Sequence, residues 1–392
     1  MLNGPFSPWP NYDEAEKAAV LSVLDSNKVN YWTGKQCREF EKAFAQYTHC
    51  EYAVAVANGT VALDLAWQAL DMPKGSEVIV TSRTFIASIS SIVLAGLVPV
   101  FVDIELDSQN ISAETIREKI TTNTKAILCV HLAGWPCELD DILALADEHE
   151  LFVVEDCAQA HGATYKGKSV GSIGDIGAWS FCQDKIMTTA GEGGMVTTNN
   201  KSLWEKIWAF KDHGKSWSAV YEKEHQPGFR WLHESFGTNW RMTEIQGAVG
   251  LQQLKKMPTW MQRRQAYATQ IFATASKSDA LYVPQIPAYI EHAFYKCYVY
   301  VRPKNLKPEW SRDRIIDAIN KLNVPCFSGS CSEVYLEKAF DDSGYRPEEP
   351  LVNAVTLGQN SLMFLVHPTL TDDEILRTCQ AIEQVMGEAA QS

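Results

Sequence analysis

Short, almost continuously apolar segments alternate with amphipathic segments between about residues 50 and 200. The apolar segments predict strands over residues 51–57, 77–81, 98–104, 125–131, 151–156, 177–182 and 194–198. Strands that are apolar on both faces are typical of a sheet that is covered on both sides. Three of the intervening segments, 61–71, 113–120 and 138–150, have helical spacing. This alternation predicts an α/β fold with a mostly parallel, doubly wound sheet.

The pattern changes in the last third of the chain. A charged, amphipathic segment that follows residue 257 predicts a linking helix. Beyond about residue 280, the sequence predicts a strand over 296–303 and helices over 311–323 and 371–386, the second capped by Thr371 or Asp372. We therefore expect a large domain in residues 1–257, followed in residues 258–392 by the linking helix and a smaller α+β domain.

Composition is that of a globular protein. The 392 residues exceed the length at which one hydrophobic core stops growing, which favours two domains. Hydrophobic residues make up 46% and charged residues 21%, so disorder is not expected. The formal net charge of −13 opposes binding to nucleic acid or to an anionic membrane surface. A small phosphorylated molecule is not excluded, because backbone dipoles at a helix start attract anions locally.

The cysteines and histidines add little chemistry of their own. Ten cysteines occur without a CxxC pair, which favours reduced, buried thiols in a cytosolic protein. The nine histidines show no metal-ligand spacing, so we assign no metal site. The N-terminal residues do not resemble a signal peptide, and the longest apolar stretch, 87–102, reads as a helix followed by a strand. We expect a soluble cytoplasmic protein.

Candidate chemistry begins with Lys185, in the stretch SFCQDKIMTTAGEGGM at 180–195. A lysine in a polar loop is usually a solvated surface charge, so its role depends on its neighbours. Gly59 and Thr60, in the NGT at 58–60, lie between a predicted strand and helix, where free N–H groups could hold an anion. On this tripeptide alone, an ordinary turn with a threonine cap is favoured.

Three further residues lie at predicted strand ends. Asp156, in EDCAQAHG, could face a cationic ring nitrogen or cap the next helix. Phe85, in TSRTF, offers an aromatic plate, although a lone phenylalanine is usually a core residue. Ser180 could donate its hydroxyl to an anion. Together with a lysine that forms a Schiff base, these features match what pyridoxal phosphate requires, since the carboxylate holds the pyridinium proton.

Longer segments of the chain resemble one family. They include FEKAFAQYT, VAVANGTVALDLAWQAL, SEVIVTSRTFIAS, PVFVDIE, TKAILCVHLAGWPCELD, VVEDCAQAHGATYKGKSVGSIGDIGAWSF, GEGGMVTTN and TNWRMTEIQGAVGLQQL. The family is that of the DegT/DnrJ/EryC1/StrS aminotransferases, fold type I pyridoxal-phosphate enzymes that act mostly on nucleotide-linked keto sugars. The resemblance covers residues 30–257 almost continuously and weakens after about residue 280.

The resemblance implies a role for eight residues. It makes Lys185 the Schiff-base lysine and proton shuttle, Asp156 the partner of the pyridine nitrogen, Gln159 a contact near the phenolic oxygen, Phe85 the stacking ring, Gly59, Thr60 and Ser180 the phosphate site, and Asn239 a phosphate contact from the partner subunit. The last role implies a homodimer with shared active sites. The implied reaction transfers an amino group from L-glutamate to a keto sugar, in surface-polysaccharide or amino-sugar biosynthesis.

The sequence departs from the family pattern in three places. Gly191 follows Lys185 by six positions where five are usual, and Arg83 stands beside the stacking aromatic where a small or apolar residue is more usual. The PxH motif expected near the substrate loop is replaced by FSGSCSEVYLEKAF at 327–340. These departures concern the acceptor substrate rather than the cofactor.

Three other functions fit parts of the pattern. A sugar dehydratase on the same scaffold has histidine in place of the lysine, so Lys185 argues against it. A cysteine desulfurase-like lyase needs a mobile thiol, for which Cys326 and Cys331 are the candidates. A non-catalytic regulator that binds the cofactor is disfavoured by the complete set of cofactor residues.

Overall fold

The computed structural model describes residues 4–391. Its strands, numbered in chain order, are β1 Tyr52–Val56, β2 Glu77–Thr81, β3 Val98–Val102, β4 Thr124–Val130, β5 Phe152–Asp156, β6 Thr164–Tyr165, β7 Lys168–Ser169, β8 Ile176–Ser180, β9 Gly194–Thr198, β10 Leu281–Tyr282, β11 Ile290–Glu291, β12 Cys297–Val301, β13 Cys326–Phe327 and β14 Ser361–Phe364. All seven strands predicted between residues 50 and 200 are present, with ends that differ by at most two residues.

Twelve α-helices accompany these strands. They are α1 Glu14–Asp25, α2 Gln36–Thr48, α3 Gly59–Leu70, α4 Ala87–Leu94, α5 Ala113–Arg117, α6 Leu139–Glu148, α7 Lys201–Phe210, α8 Trp217–Tyr221, α9 Glu244–Ala275, α10 Arg312–Lys321, α11 Val352–Asn360 and α12 Asp372–Ala389, counted over residues 4–391. Thr371 caps α12 in a capping box with Glu374, as one of the two predicted caps.

The large sheet has seven strands in the order β1-β9-β8-β5-β4-β2-β3. Strands β8, β5, β4, β2 and β3 run parallel to one another, whereas β9 is antiparallel to both of its neighbours. The central strands are almost completely buried, because helices cover both faces. The α/β fold with a mostly parallel sheet is therefore confirmed.

The C-terminal segment builds a second, antiparallel sheet in the order β10-β12-β14-β13. Its core includes Val299, Phe364 and Ile382, and it also includes Phe6 from the other end of the chain. The helix α9 extends without a break across residue 257, and Pro258 lies inside it. The proposed division at residue 257 therefore falls within one continuous helix, and it stays a prediction.

The cysteines and the apolar character of the helices bear on two expectations from the sequence. The ten cysteines are all free thiols, and eight of them are buried. Within residues 4–391, none of the helices combines the length and the apolar character needed to cross a bilayer.

Candidate active site

A cavity of about 720 Å³ opens at the edge of the large sheet where β2, β4, β5 and β8 end. Parallel strands bring the residues that follow them to one edge, which is where ligands bind in such sheets. Seven of the eight residues singled out from the sequence line this cavity: Gly59, Thr60, Phe85, Asp156, Gln159, Ser180 and Lys185. The second sheet closes the opposite side through residues such as Tyr298 and Met363.

The start of α3 forms one end of the cavity. Gly59 and Thr60 are its first two residues, and the side chain of Asn58 caps it by accepting a hydrogen bond from the N–H of Val61. The cap is therefore asparagine and not the threonine considered above. A Cβ atom on Gly59 would lie 2.5 Å from Cβ of Ser180, so only glycine allows the hydroxyl of Ser180 so close to the helix start. The result is a cradle of N–H and O–H donors with the polarity that an anion requires.

Asp156 lies at the end of β5, with 6% of its surface exposed. Its carboxylate accepts hydrogen bonds from the Ser88 hydroxyl at 2.8 Å and from the N–H of Ala158 at 3.1 Å. Among residues 4–391 it forms no ion pair, and burial raises its pKa above the ordinary value. A buried carboxylate without a cation is unfavourable, and a cationic ring nitrogen placed in the cavity would compensate it.

The residue before Asp156 anchors this edge of the sheet. Glu155 is fully buried and accepts hydrogen bonds from His131 at 3.0 Å and from the N–H groups of Gly171, Ile173 and Gly174. Burial alone would raise its pKa, but these donors hold the pKa below the ordinary value. Although Glu155, His131 and Cys157 lie close enough for a metal ion, the carboxylate oxygens are already engaged by donors. The cluster reads as structural support for Asp156.

Lys185 lies in the loop between β8 and β9, as the stretch 180–195 predicts. Its Nζ lies 3.9 Å from a carboxylate oxygen of Asp184 and 5.2 Å from the ring centroid of Tyr295. The backbone holds the loop in place independently of the lysine side chain, since the Lys185 carbonyl accepts a hydrogen bond from the indole of Trp9 at 2.8 Å. The loop reverses at Ala190 and Gly191, both with positive φ.

Phe85 and Gln159 approach the cavity from two sides. The Phe85 ring is 69% exposed, although it is a large apolar side chain, so one face is available for a flat ligand. Gln159 uses its side-chain carbonyl to accept the N–H of Ala133 at 2.8 Å, which leaves its amide N–H groups as donors. Both positions agree with contacts to an aromatic ring that carries a polar substituent.

Asn239 is the one singled-out residue that does not line the cavity of its own chain. It lies beside β1, where Trp240 accepts a hydrogen bond from Ala57. The loop that leads to it exposes three large apolar side chains, Phe229, Trp231 and Phe236, with exposed fractions of 77%, 83% and 99%. Exposed aromatic residues in such a cluster mark an interaction surface.

Several residues of the cavity carry no clear sequence signal. Ser88 is one of them, because a serine in an apolar helix does not indicate that its hydroxyl binds a carboxylate far away in the chain. Lys296 and Tyr298 belong to a segment predicted only as a strand, and Tyr295 precedes that segment. The replacement segment 327–340 does reach the cavity, through Gly329, Ser330 and Cys331.

Arg83, the unusual neighbour of Phe85, is completely buried and lines no part of the cavity. Its guanidinium donates to the side chains of Gln109 and Ser361, both at 2.9 Å, and lies over the ring of Tyr298. Because Ser361 and Tyr298 belong to the second sheet, Arg83 ties the two sheets together behind the cavity.

The described residues fit pyridoxal 5'-phosphate. The cradle at Gly59, Thr60 and Ser180 would hold its phosphate, and the unpaired carboxylate of Asp156 would meet its ring nitrogen. Lys185 supplies the amine at the same cavity. The fit rests on the close approach that only glycine permits at position 59 and on a buried acid that lacks a cation.

Comparisons with known proteins point to one family. The model of the DegT/DnrJ/EryC1/StrS aminotransferase family matches residues 10–383. A GDP-perosamine synthase of Escherichia coli O157:H7 is 35% identical and covers 97% of this chain and 98% of its own. A dTDP-3-amino-3,6-dideoxy-alpha-D-galactopyranose transaminase of Aneurinibacillus thermoaerophilus is 31% identical and covers 95% of this chain and 96% of its own.

A solved structure supports the same relationship. The aminotransferase from Psychrobacter cryohalolentis is 62% identical, with a TM-score of 0.97 over 98% of this chain and 99% of its own. The family match also includes the C-terminal segment, in which the resemblance in sequence weakens after about residue 280.

Proposed function

The chain belongs to the DegT/DnrJ/EryC1/StrS aminotransferase family, and we propose that it transfers an amino group from L-glutamate to a nucleotide-linked keto sugar. The observation that carries this proposal is the convergence of an anion cradle, an unpaired buried acid and a lysine on one cavity. Pyridoxal 5'-phosphate is the cofactor that these three features fit. We place the reaction in surface-polysaccharide or amino-sugar biosynthesis, since GDP-perosamine synthase and a dTDP-amino-sugar transaminase are among the relatives.

When bound, pyridoxal phosphate supplies an electron sink for the bond that breaks at the amino-bearing carbon. The residues of the chain then have separate tasks. Gly59, Thr60 and Ser180 bind the phosphate, Phe85 stacks on the ring, and Gln159 donates toward its phenolic oxygen. The carboxylate of Asp156 would keep the ring nitrogen protonated.

Lys185 is the proposed base of both half-reactions. In the first, its amine would take the proton from the α-carbon of L-glutamate and deliver it to the bound cofactor. In the second, the keto sugar enters and the same amine moves protons in the opposite direction. One residue is sufficient for both steps, because the second reverses the first.

The cavity favours amino transfer over the other functions considered. A lysine, and not a histidine, stands at position 185, which disfavours the dehydratase. Cys326 is buried, and burial raises the pKa of the Cys331 thiol, so neither residue is prepared as the nucleophile of a lyase. A purely regulatory role is the weakest alternative, because the residues that would bind each part of the cofactor are all present.

A direct experiment tests the function. Protein purified with pyridoxal phosphate should be yellow, and L-glutamate alone should remove the visible absorption band. An accepted keto sugar should then restore the band, and a panel of GDP-linked and dTDP-linked keto sugars identifies the acceptor. Bleaching by L-cysteine but not by L-glutamate would favour the lyase, and uptake of the cofactor without bleaching by either amino acid would favour the regulator.

We also propose that the active form is a cytoplasmic homodimer with shared sites. The exposed apolar loop with Phe229, Trp231 and Phe236 provides a surface that a second copy can cover. Docking through this loop would carry Asn239 toward the phosphate cradle of the partner. The site of one chain is then incomplete without the other.

Mixed dimers of two inactive variants test the shared site. Asn239→Asp removes an amide donor and adds a negative charge next to the phosphate, and Lys185→Ala removes the base. A heterodimer of the two, isolated with different affinity tags, has one site with both defects and one intact site. We expect about half of the wild-type activity per dimer.

The parental homodimers serve as controls and should be inactive. If Asn239 acts within its own chain, both sites of the heterodimer are defective. A heterodimer without activity, formed by two variants that remain folded and dimeric, contradicts the shared site.

A further inference from the structure

A second lysine, Lys296, lines the same cavity immediately before β12. Its Nζ lies 4.9 Å from the ring centroid of Tyr295, the ring that Lys185 also contacts at 5.2 Å. Lys185 and Lys296 are the only cationic side chains that line the cavity in the part of the chain that the structure describes. Because Lys185 is committed to the cofactor and to proton transfer, Lys296 is the remaining cation.

Lys296 has no ion-pair partner among the described residues. Among residues 4–391, no acceptor lies within hydrogen-bonding distance of its Nζ, and no carboxylate oxygen lies within ion-pair distance. The nearby carboxylate, Asp184, is instead engaged by the hydroxyl of Tyr295 and lies beside Lys185. An ammonium held in a partly closed cavity without a counter-ion is unfavourable until an anion arrives.

A second buried cation lies behind Lys296 and does not itself line the cavity. Arg264, on α9, is 1% exposed and donates to the backbone carbonyls of Phe294 and Tyr295. It forms no ion pair with a carboxylate in the described part of the chain. Burial and the positive charges of Arg264 and Lys185 lower the pKa of Lys296 to about 8, although the negative charge of Asp184 opposes this shift. Lys296, with Arg264 behind it, thus forms a local positive region in a chain with net charge −13, although Asp156, Asp184 and Glu192 also line the cavity.

We propose that Lys296 binds the α-carboxylate of the amino donor and thereby sets its orientation at Lys185. The inference rests on the proposed function, since it concerns the donor of that reaction. The α-carboxylate is bonded to the carbon whose proton Lys185 removes, so it must lie close to Lys185. Lys296 shares the Tyr295 ring with Lys185, whereas the diphosphate of a nucleotide sugar is separated from the reacting carbon by the sugar ring.

Three donors separate the groups that Lys296 can bind. L-Glutamate carries both carboxylates, L-glutamine lacks the γ-carboxylate, and the α-amide L-isoglutamine lacks the α-carboxylate. For Lys296→Met, we expect the half-saturating concentration in the bleaching reaction to rise about 10- to 100-fold for L-glutamate and L-glutamine. For L-isoglutamine, wild type and variant should differ by less than about twofold.

Two further readouts exclude a merely structural role. Lys296→Arg keeps the charge, so it should restore most of the affinity for L-glutamate, whereas Lys296→Gln should not. The equilibrium affinity for α-methyl-L-glutamate, which has no α-proton and therefore cannot undergo the proton transfer to Lys185, should fall in Lys296→Met by the same factor as that for L-glutamate when measured by calorimetry.

Other outcomes would overturn the proposal. Equal behaviour of Lys296→Met and wild type toward L-glutamate contradicts it, as does a loss that is confined to L-isoglutamine and L-glutamate, which would assign Lys296 to the γ-carboxylate. A selective loss of affinity for GDP or dTDP would assign the lysine to the diphosphate. If wild type itself is not bleached by L-glutamate, the proposed function fails, which is a separate result.

Discussion

Replacement of Lys185 by alanine should abolish the adduct that borohydride fixes between the protein and pyridoxal phosphate. It should also lower amino transfer by at least about 10³-fold, because the same amine links the cofactor and moves the proton. The fold should survive, since the loop is held by the Lys185 carbonyl and the Trp9 indole and not by the lysine side chain. Mass mapping of the reduced adduct and single-turnover absorbance measure the two effects.

Lys296 is the matched control for this experiment. It lines the same cavity and contacts the same tyrosine ring, so it has similar access to the cofactor. In wild type, and in Lys296→Met, the reduced adduct should map to residue 185. An adduct found at residue 296, or one that persists in Lys185→Ala, would show that the assignment of the Schiff-base lysine is wrong.

Replacement of Asp156 by asparagine should reduce kcat/KM on the order of 10³-fold, or about 4 kcal/mol, while the cavity keeps its shape. Asparagine has the same size and can retain hydrogen bonds with Ser88 and with the N–H of Ala158. What it lacks is the negative charge that keeps the ring nitrogen protonated. Ser88→Ala, which removes a hydrogen bond but not the charge, should cost no more than about 10-fold.

Replacement of Asp156 by asparagine should lower activity but should not lower the stability of the cofactor-free protein at neutral pH. Burial raises its pKa, so the folded chain holds this proton more tightly than the unfolded chain does. The contribution of Asp156 to stability is therefore favourable at low pH and is lost as the pH rises above the ordinary carboxyl pKa. At neutral pH, Asp156→Asn should be at least as stable as wild type without cofactor, but should gain less when pyridoxal phosphate binds.

Thermal unfolding with and without cofactor, measured from acidic to neutral pH, checks this pair of effects. Comparison of variant and wild type at each pH removes the contribution of the other carboxylates. Wild-type activity in Asp156→Asn, or a large loss of stability in the absence of cofactor, would contradict the role of this carboxylate as the partner of the ring nitrogen.

The strands of the large sheet could be predicted because their signal is local. Continuous apolar segments such as Glu77–Thr81 carry enough information to mark a buried strand without any knowledge of its neighbours. The same holds for the helix that Thr371 caps. Helix limits were less predictable: α5 ends at Arg117, three residues before the amphipathic pattern does, and α9 continues through Pro258. Packing, rather than local preference, decides where such helices end.

The candidate site residues also differ in how far local sequence predicts their contacts. Gly59, Asp156, Ser180 and Lys185 each follow or begin an element that the pattern identifies, and parallel strands bring such residues to one edge of the sheet. Their meeting was therefore predictable. The contact of Ser88 with Asp156, and the place of Arg83 between two sheets, join residues 68 and 278 positions apart in the chain. No local pattern indicates a pairing across such a distance.

The sequence by itself thus determined the class of fold and predicted the cofactor chemistry and the lysine, because each depends on residue type and on short-range order. Only the tertiary structure decided which cation remains free in the cavity. Lys296 is predicted only as part of a strand, and its lack of an ion-pair partner among the described residues depends on how the second sheet packs beside Tyr295 and Arg264. Whether a charge is neutralised is a property of its whole surroundings, and these are assembled from segments that lie far apart in the chain.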